Sequence, residues 1–169
     1  MVEVMPPKHR WGRIATVTLL VILGFPLSRL GCELVEFRQA RYDTYSAAVA
    51  AGAGERGWLP SFVPASAVEI HELHSLDTNA QWLRFTVPAS EVERMTSSMS
   101  MLSLEEARRT GVNRPWRVGG GWPAELNRIV VDTGGSDHVR FFKSSDGTFC
   151  LAVVAQEGHV FAWRCDRVV

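Results

Sequence analysis

The sequence predicts an α+β fold, an antiparallel sheet of about five strands with helices on one face, preceded by an N-terminal membrane-anchor or signal helix. Three observations predict it: alternating segments separated by turn residues, capping-box patterns with apolar residues at helical spacing, and a long uncharged N-terminal segment. Apolar residues make up 46% and charged residues 21% of the 169 residues, which is typical of a globular domain. We expect a signal or anchor segment over 1–31, a stalk or first helix over 32–57 and a globular domain over 58–169.

The N-terminal segment has the charge pattern of an exported protein. Residues 14–27 carry no charge and follow a basic stretch that contains Lys8, Arg10 and Arg13. Moving Lys and Arg across a bilayer is costly, so the basic flank stays in the cytoplasm and the C-terminal domain is expected outside it. Three fates stay open: the segment is retained as a single-pass anchor, Cys32 carries a lipid, or the segment is removed or buried.

The first elements after this segment are predicted from spacing and turn chemistry. Apolar residues recur at helical spacing over 33–51 and glycines follow, which predicts a helix. Segments 66–75 and 81–87 are predicted to form a hairpin, because the second alternates apolar and polar residues and Asp77–Asn79 supplies turn residues.

Two capping-box patterns predict two further helices. Ser90 with Glu93 begins the first, whose apolar residues recur at steps of three and four as far as Leu102. Ser103 with Glu106 begins the second, a short helix. In a capping box each side chain accepts a hydrogen bond from the backbone of the other residue, which satisfies amides that the first helical turn leaves free.

The C-terminal part is predicted to consist of strands. A strong turn pattern, Ser-Ser-Asp-Gly at 144–147, separates two of them. The predicted strands, each rich in β-branched or aromatic residues, cover 129–131, 139–143, 149–155 and 160–165.

Two of the three cysteines lie in the last predicted hairpin. A turn centred on Glu157–Gly158 would place Cys150 directly opposite Cys165, within the Cα separation that a disulfide needs. A disulfide agrees with the predicted export, because the compartments outside the cytoplasm are oxidising. The alternative is a pair of buried reduced thiols.

A loop rich in glycine and proline is the predicted binding region. Residues 111–128 contain a Gly-Gly-Gly run and two prolines, which exclude a regular element. Trp and Arg side chains contribute strongly to many interfaces, and a loop can present them. The candidate contact residues are Arg114, Trp116, Arg117 and Trp122. The alternative for the two tryptophans is packing against the sheet.

His71, His74 and Asp77 are the weak candidates for a metal site. On a helix, residues three apart share one face and can bind one ion. On a strand, an odd separation places His71 and His74 on opposite faces, so they cannot bind it together. Because this segment is predicted to be a strand, we expect neither a metal site nor a cofactor.

Several short motifs give the chain a family resemblance. They are Glu55-Arg56-Gly57-Trp58-Leu59-Pro60, Leu76-Asp77-Thr78-Asn79, Trp82 and Trp122-Pro123-Ala124-Glu125-Leu126. In these motifs the chain resembles a group of uncharacterised bacterial proteins that are exported or membrane-anchored. The resemblance implies a location in the bacterial cell envelope and carries no activity or catalytic residue with it.

The sequence favours binding over catalysis. Eighteen basic and eighteen acidic residues cancel, which argues against a nucleic-acid partner. We expect a noncatalytic domain, tethered to the membrane by its N-terminal segment, that binds a protein or another envelope component. The first alternative is a small envelope hydrolase that uses His71 and His74, or Asp137 and His138. The second is an immunity-type inhibitor that protects its cell from a toxin.

Overall fold

The structure, a computed structural model, describes residues 37–110 and 138–166. All of them belong to one compact unit that begins at Phe37. The strands are β1 (Phe37–Thr44), β2 (Val68–Ser75), β3 (Gln81–Thr86), β4 (Ser100–Leu102), β5 (Val139–Lys143), β6 (Phe149–Val154) and β7 (His159–Arg164). The helices are α1 (Tyr45–Ala50), α2 (Ala89–Thr96) and α3 (Leu104–Arg109).

The strands of the described residues form one antiparallel sheet in the order β1-β2-β3-β7-β6-β5-β4. The α+β class is therefore confirmed, while the expected number of about five strands is too low for this seven-stranded sheet. The two strands that the sequence did not predict, β1 and β4, lie at the edges. An edge strand pairs on one side only and buries less of its surface, so its apolar alternation is weak.

The helix predicted over 33–51 is wrong for residues 37–44, which form strand β1. This strand pairs with β2 from Phe37 opposite Ser75 to Thr44 opposite Val68. Thr44 then begins helix α1, because its Oγ1 accepts a hydrogen bond from the backbone of Ala47 at 3.2 Å. Pairing with a distant strand overrides the local helical spacing here.

The helix predicted from Ser90 to Leu102 is too long. Helix α2 ends at Thr96, and Ser100–Leu102 forms strand β4, which pairs with β5 at the sheet edge. The predicted box of Ser90 with Glu93 is also wrong. Pro88 occupies the capping position, and Glu93 instead accepts a hydrogen bond from Arg140 of β5 at 2.6 Å.

The capping box of helix α3 is confirmed. The backbone N–H of Ser103 donates to the Glu106 carboxylate at 2.8 Å, and the Glu106 N–H donates to Ser103 Oγ at 3.2 Å. The hairpin of β2 and β3 and the turn at 144–147 are confirmed as well. Each of these features depends on residues that are close together in the sequence.

Both faces of the sheet bury apolar side chains. The first face is covered by α1, α2 and the turn-rich segment 51–67, and its core includes Ile70, Leu83, Phe85, Leu151 and Val160. The second face carries a smaller cluster that includes Leu73, Trp82, Phe161, Trp163 and, from helix α3, Ala107. The expectation that the helices cover one face is therefore wrong, because α3 packs on the second face.

The pairing of β6 and β7 is shifted by two residues from its predicted register. Cys150 lies opposite Trp163, and Cys165 follows two residues later. Side chains two apart on a strand share a face, so the shift leaves Cys165 on the same face as Cys150. Their Cα atoms are 5.8 Å apart and the two sulfurs are at disulfide distance, so the pairing of these cysteines survives the register error.

Some predictions fall outside the described residues. These are the N-terminal segment with Cys32, the strand at 129–131 and the loop at 111–128. Within 37–110 and 138–166, every helix is too short or too polar to cross a bilayer.

Candidate functional site

Two polar side chains of strand β2 are buried side by side on the first face of the sheet. The side chains of Glu72 and His74 are only 1% and 8% exposed, and Oε1 of Glu72 lies 2.6 Å from Nδ1 of His74. Ile70 precedes them at the same spacing of two and is a core residue of this face. The core-facing side of β2 therefore changes from apolar to polar toward the end of the strand.

A stack of aromatic and cationic groups covers His74. The ring of Trp58 stacks on the imidazole with 4.3 Å between centroids, and the Arg56 guanidinium lies 4.2 Å from the centroid of Trp58. The Gln81 side chain, from β3, donates to the backbone oxygen of Trp58 at 2.6 Å. The stack is thus held at both the ring and the backbone of Trp58.

The turn after helix α1 places the first two members of the stack. Gly57 has a φ of +75°, a left-handed conformation that favours glycine, immediately before Trp58. The Trp58 N–H donates to the oxygen of Ala53 at 2.9 Å, and the Arg56 guanidinium donates to the oxygen of Ala51 at 2.6 Å. These local hydrogen bonds orient Arg56 and Trp58 toward β2.

Strand β1 adds a second arginine. Arg38 lies directly opposite His74, and His74 lies opposite Gln81 on the other side, so the three residues form one cross-strand row. Directly opposite residues have side chains close together on one face of a sheet. We call Arg38, Arg56, Trp58, Glu72, His74 and Gln81 the β2 cluster.

Burial decides the protonation of the buried pair. It raises the pKa of Glu72 from 4.5 to about 8, although Arg56 acts in the opposite direction. Burial, together with the charges of Arg38 and Arg56, lowers the pKa of His74. Both shifts favour the uncharged forms of the two side chains, which share the 2.6 Å contact between Oε1 of Glu72 and Nδ1 of His74.

The pair retains unused hydrogen-bonding capacity. Among the residues that the structure describes, Oε2 of Glu72 and Nε2 of His74 have no hydrogen-bond partner. A buried polar atom without a partner is costly, so this pair stays neutral rather than ionised. The charges of the β2 cluster at neutral pH are then the two arginines, Arg38 and Arg56.

The structure separates the metal candidates. His74 is in the β2 cluster, while His71 faces the other side of the sheet, between Arg41 of β1 and Arg84 of β3. Asp77 lies exposed in the turn after β2. Within the described ranges no group of three His, Cys, Asp or Glu side chains is placed to hold a metal ion.

Most of the other candidate residues lie outside the part of the chain that the structure describes. Arg114, Trp116, Arg117, Trp122 and the Asp137 of the hydrolase alternative lie outside it. His138 is described and is exposed just before β5. Of these candidates the structure describes only His138, which is not a member of the β2 cluster.

Most of the β2 cluster was not predicted from the sequence, although the alternation of residues along β2 indicates its buried Glu72 and His74. Once 66–75 is predicted to be a strand, its alternation places Ile70, Glu72 and His74 on one face. A carboxyl and an imidazole in line with a core residue indicate a buried pair. No comparable signal links Arg38 or Arg56 to them, because those contacts depend on the fold.

A comparison with protein families matches part of the chain. Residues 36–86 are similar to the YbbD head domain, and this segment contains every residue of the β2 cluster. The similarity supports a relationship to a bacterial protein family. No curated protein and no solved structure matches the chain.

Proposed function

We propose that the chain is a noncatalytic domain, held at a bacterial membrane by its N-terminal segment, that binds a protein or another envelope component outside the cytoplasm. The observation that carries the binding part of the proposal is the Arg56–Trp58 stack on His74. Arg56 is exposed and Trp58 is half-buried, so both can contact a partner. Trp and Arg are the residue types that contribute most often to binding energy at interfaces.

The stack is organised before any partner binds. Gln81 and the backbone of Ala53 hold Trp58, and the backbone of Ala51 holds Arg56. Binding through side chains that are already ordered loses less conformational entropy. This supports Arg56 and Trp58 as contact residues, while Arg114, Trp116, Arg117 and Trp122 remain predicted contacts of the loop at 111–128.

The cysteine pair supports the proposed location. Cys150 and Cys165 are at disulfide distance, and disulfides persist mainly in oxidising compartments. The apolar segment that follows Lys8, Arg10 and Arg13 predicts the same side of the membrane.

The burial of Glu72 and His74 favours binding over hydrolysis. A general base must come within hydrogen-bond reach of its substrate, yet these side chains are 1% and 8% exposed beneath Trp58. The histidines of the hydrolase alternative, His71 and His74, lie on opposite faces of β2.

A site-specific crosslinking experiment tests the binding function. A photoreactive amino acid replaces exposed Glu55, next to Arg56, in the full chain expressed in bacterial cells, and exposed Met101 on edge strand β4 provides the control site. We expect a discrete crosslinked product from position 55, lost on Arg56→Gln, and none from position 101. Equal products from both positions, or no product from position 55, would contradict the proposal.

A topology experiment tests the location separately. Protease added to spheroplasts should degrade the domain, and mass spectrometry without reductant should find Cys150 joined to Cys165. A protease-protected domain with free thiols at both positions would place the chain in the cytoplasm and end this part of the proposal.

A further inference from the structure

We propose that Arg38, Arg56 and Trp58 form a docking surface for a carboxylate-rich segment of a protein partner. This inference rests on the proposed binding function and names the chemistry of the partner. Its basis is the positive charge at the β2 cluster, where Arg38 lies opposite His74 in the sheet and Arg56 lies over the Trp58 ring that stacks on His74.

The two arginines of this surface form no ion pair within the described residues, although the Glu55 carboxylate lies in the neighbourhood of Arg56. Arg38 and Arg56 are both exposed, and neither forms an ion pair with a carboxylate of residues 37–110 or 138–166. Other arginines of the domain do: Arg94 pairs with Glu91, and Arg109 pairs with Glu105. The carboxyl group of the β2 cluster itself, that of Glu72, is buried and bonded to His74.

The geometry suits a carboxylate ligand. A guanidinium group can bind a carboxylate through two parallel hydrogen bonds. Arg38 lies opposite His74 on β1, and Arg56 lies over Trp58, which stacks on His74. The indole adds apolar contact area beside the Arg56 guanidinium, a combination that fits an acidic peptide better than an isolated inorganic anion.

Docking has a consequence for the buried pair. The charged groups that face His74 are Arg38 from β1, Arg56 from the turn after α1 and Glu72 from its own strand, and the β3 side chain there is the uncharged Gln81. The two arginines disfavour a positive charge on His74. Carboxylates that neutralise them remove part of this effect, so docking should raise the pKa of His74.

A peptide titration tests the inference. The full chain in detergent is titrated with a short poly-glutamate peptide, and a poly-glutamine peptide of equal length is the uncharged comparison. We expect the glutamate peptide alone to bind, and the double variant Arg38→Gln/Arg56→Gln to bind about tenfold more weakly. The matched control Arg94→Gln/Arg109→Gln has the same change in net charge and should bind as wild type.

NMR of the histidines gives a second readout that simple charge attraction would not produce. Saturating glutamate peptide should move the titration of His74 to higher pH, and the glutamine peptide at the same concentration should leave it unchanged. The glutamate peptide added to Arg38→Gln/Arg56→Gln should leave His74 unchanged. Equal shifts of His74 with the two peptides, or in wild type and the double variant, would overturn the inference.

The remaining outcomes separate this inference from the proposed function. If position 55 still crosslinks to a partner but the glutamate peptide does not bind, the acidic docking surface is wrong and the binding function stands. If position 55 gives no crosslinked product and the glutamate peptide does not bind, the binding function and the acidic docking surface are both wrong. If phosphatidylglycerol vesicles bind through Arg38 and Arg56 and the peptide does not, the surface recognises the membrane, which also overturns the inference.

Discussion

At the scale of single residues, Glu72 makes folding depend on pH. Its pKa is 4.5 ordinarily and about 8 in the folded chain, so between these values the folded state keeps a proton that the unfolded state releases. The contribution of Glu72 to the free energy of unfolding therefore has its full value below about pH 4.5 and is lost as the pH rises toward 8. His74 acts with the opposite sign, because its lowered pKa costs stability as the pH falls below 6.5.

The substitution Glu72→Gln should remove the loss of folding stability at alkaline pH. Glutamine can still donate a hydrogen bond to Nδ1 of His74, but it does not ionise. We expect the variant to resemble wild type near about pH 5 and to exceed it by more than about 1 kcal/mol near about pH 9. Urea unfolding of the full chain in detergent, followed by tryptophan fluorescence, measures the difference.

The control for this measurement is Glu105→Gln, at an exposed carboxylate of α3. It should change stability little at either pH, because exposed ion pairs contribute little. Parallel stability curves for wild type and Glu72→Gln over the whole range would show that Glu72 ionises normally in the folded chain.

At the scale of elements, the turn between β6 and β7 connects to the end of β3. Gly158 has a φ of +69°, and its carbonyl oxygen accepts a hydrogen bond from the Val87 N–H at 2.9 Å. A Cβ at this position would overlap the carbonyl oxygen of Val87. Glycine is therefore needed for two reasons, the backbone conformation and the close approach of another chain segment.

The substitution Gly158→Ala should destabilise the domain more than the same change at Gly147. Gly147 has a similar φ of +73°, but a Cβ there would meet Lys143 Cε at an ordinary 3.6 Å. We expect Gly147→Ala to cost about 1 kcal/mol and Gly158→Ala more than about 2 kcal/mol. Urea midpoints of the two variants compare the costs, and equal midpoints would mean that Val87 moves aside freely.

At the scale of the whole molecule, the bond between Cys150 and Cys165 should stabilise the fold by restricting the unfolded chain. The two residues are 15 apart in sequence, and closing a loop of that length contributes about 3 kcal/mol. We expect reductant to lower the thermal midpoint of the wild type. The variant Cys150→Ser/Cys165→Ser should have the lower thermal midpoint both with and without reductant. A wild type unaffected by reductant would show that the bond is absent or energetically neutral.

The predictability of the fold differs between the centre and the edges of the sheet. Strands β3, β6 and β7 pair on both sides, and their apolar patterns predicted them. Edge strands β1 and β4 lack that signal, and both were predicted to be helical instead. The capping box of Ser103 and Glu106, whose partners are close in sequence, was predicted correctly. The box predicted for Ser90 and Glu93 was wrong, because Pro88 is the capping residue and Glu93 accepts a hydrogen bond from Arg140 of a distant strand.

The sequence by itself determined the features whose causes lie within a few residues. These are the hairpin of β2 and β3, the cap of α3, the turn at 144–147 and the common face of Cys150 and Cys165. Only the tertiary structure decided that Trp58 stacks on His74, with Arg56 over the indole and Arg38 opposite His74 in the sheet. The physical reason is that burial and the charges brought near by folding set the protonation of Glu72 and His74, and neither is encoded in local spacing.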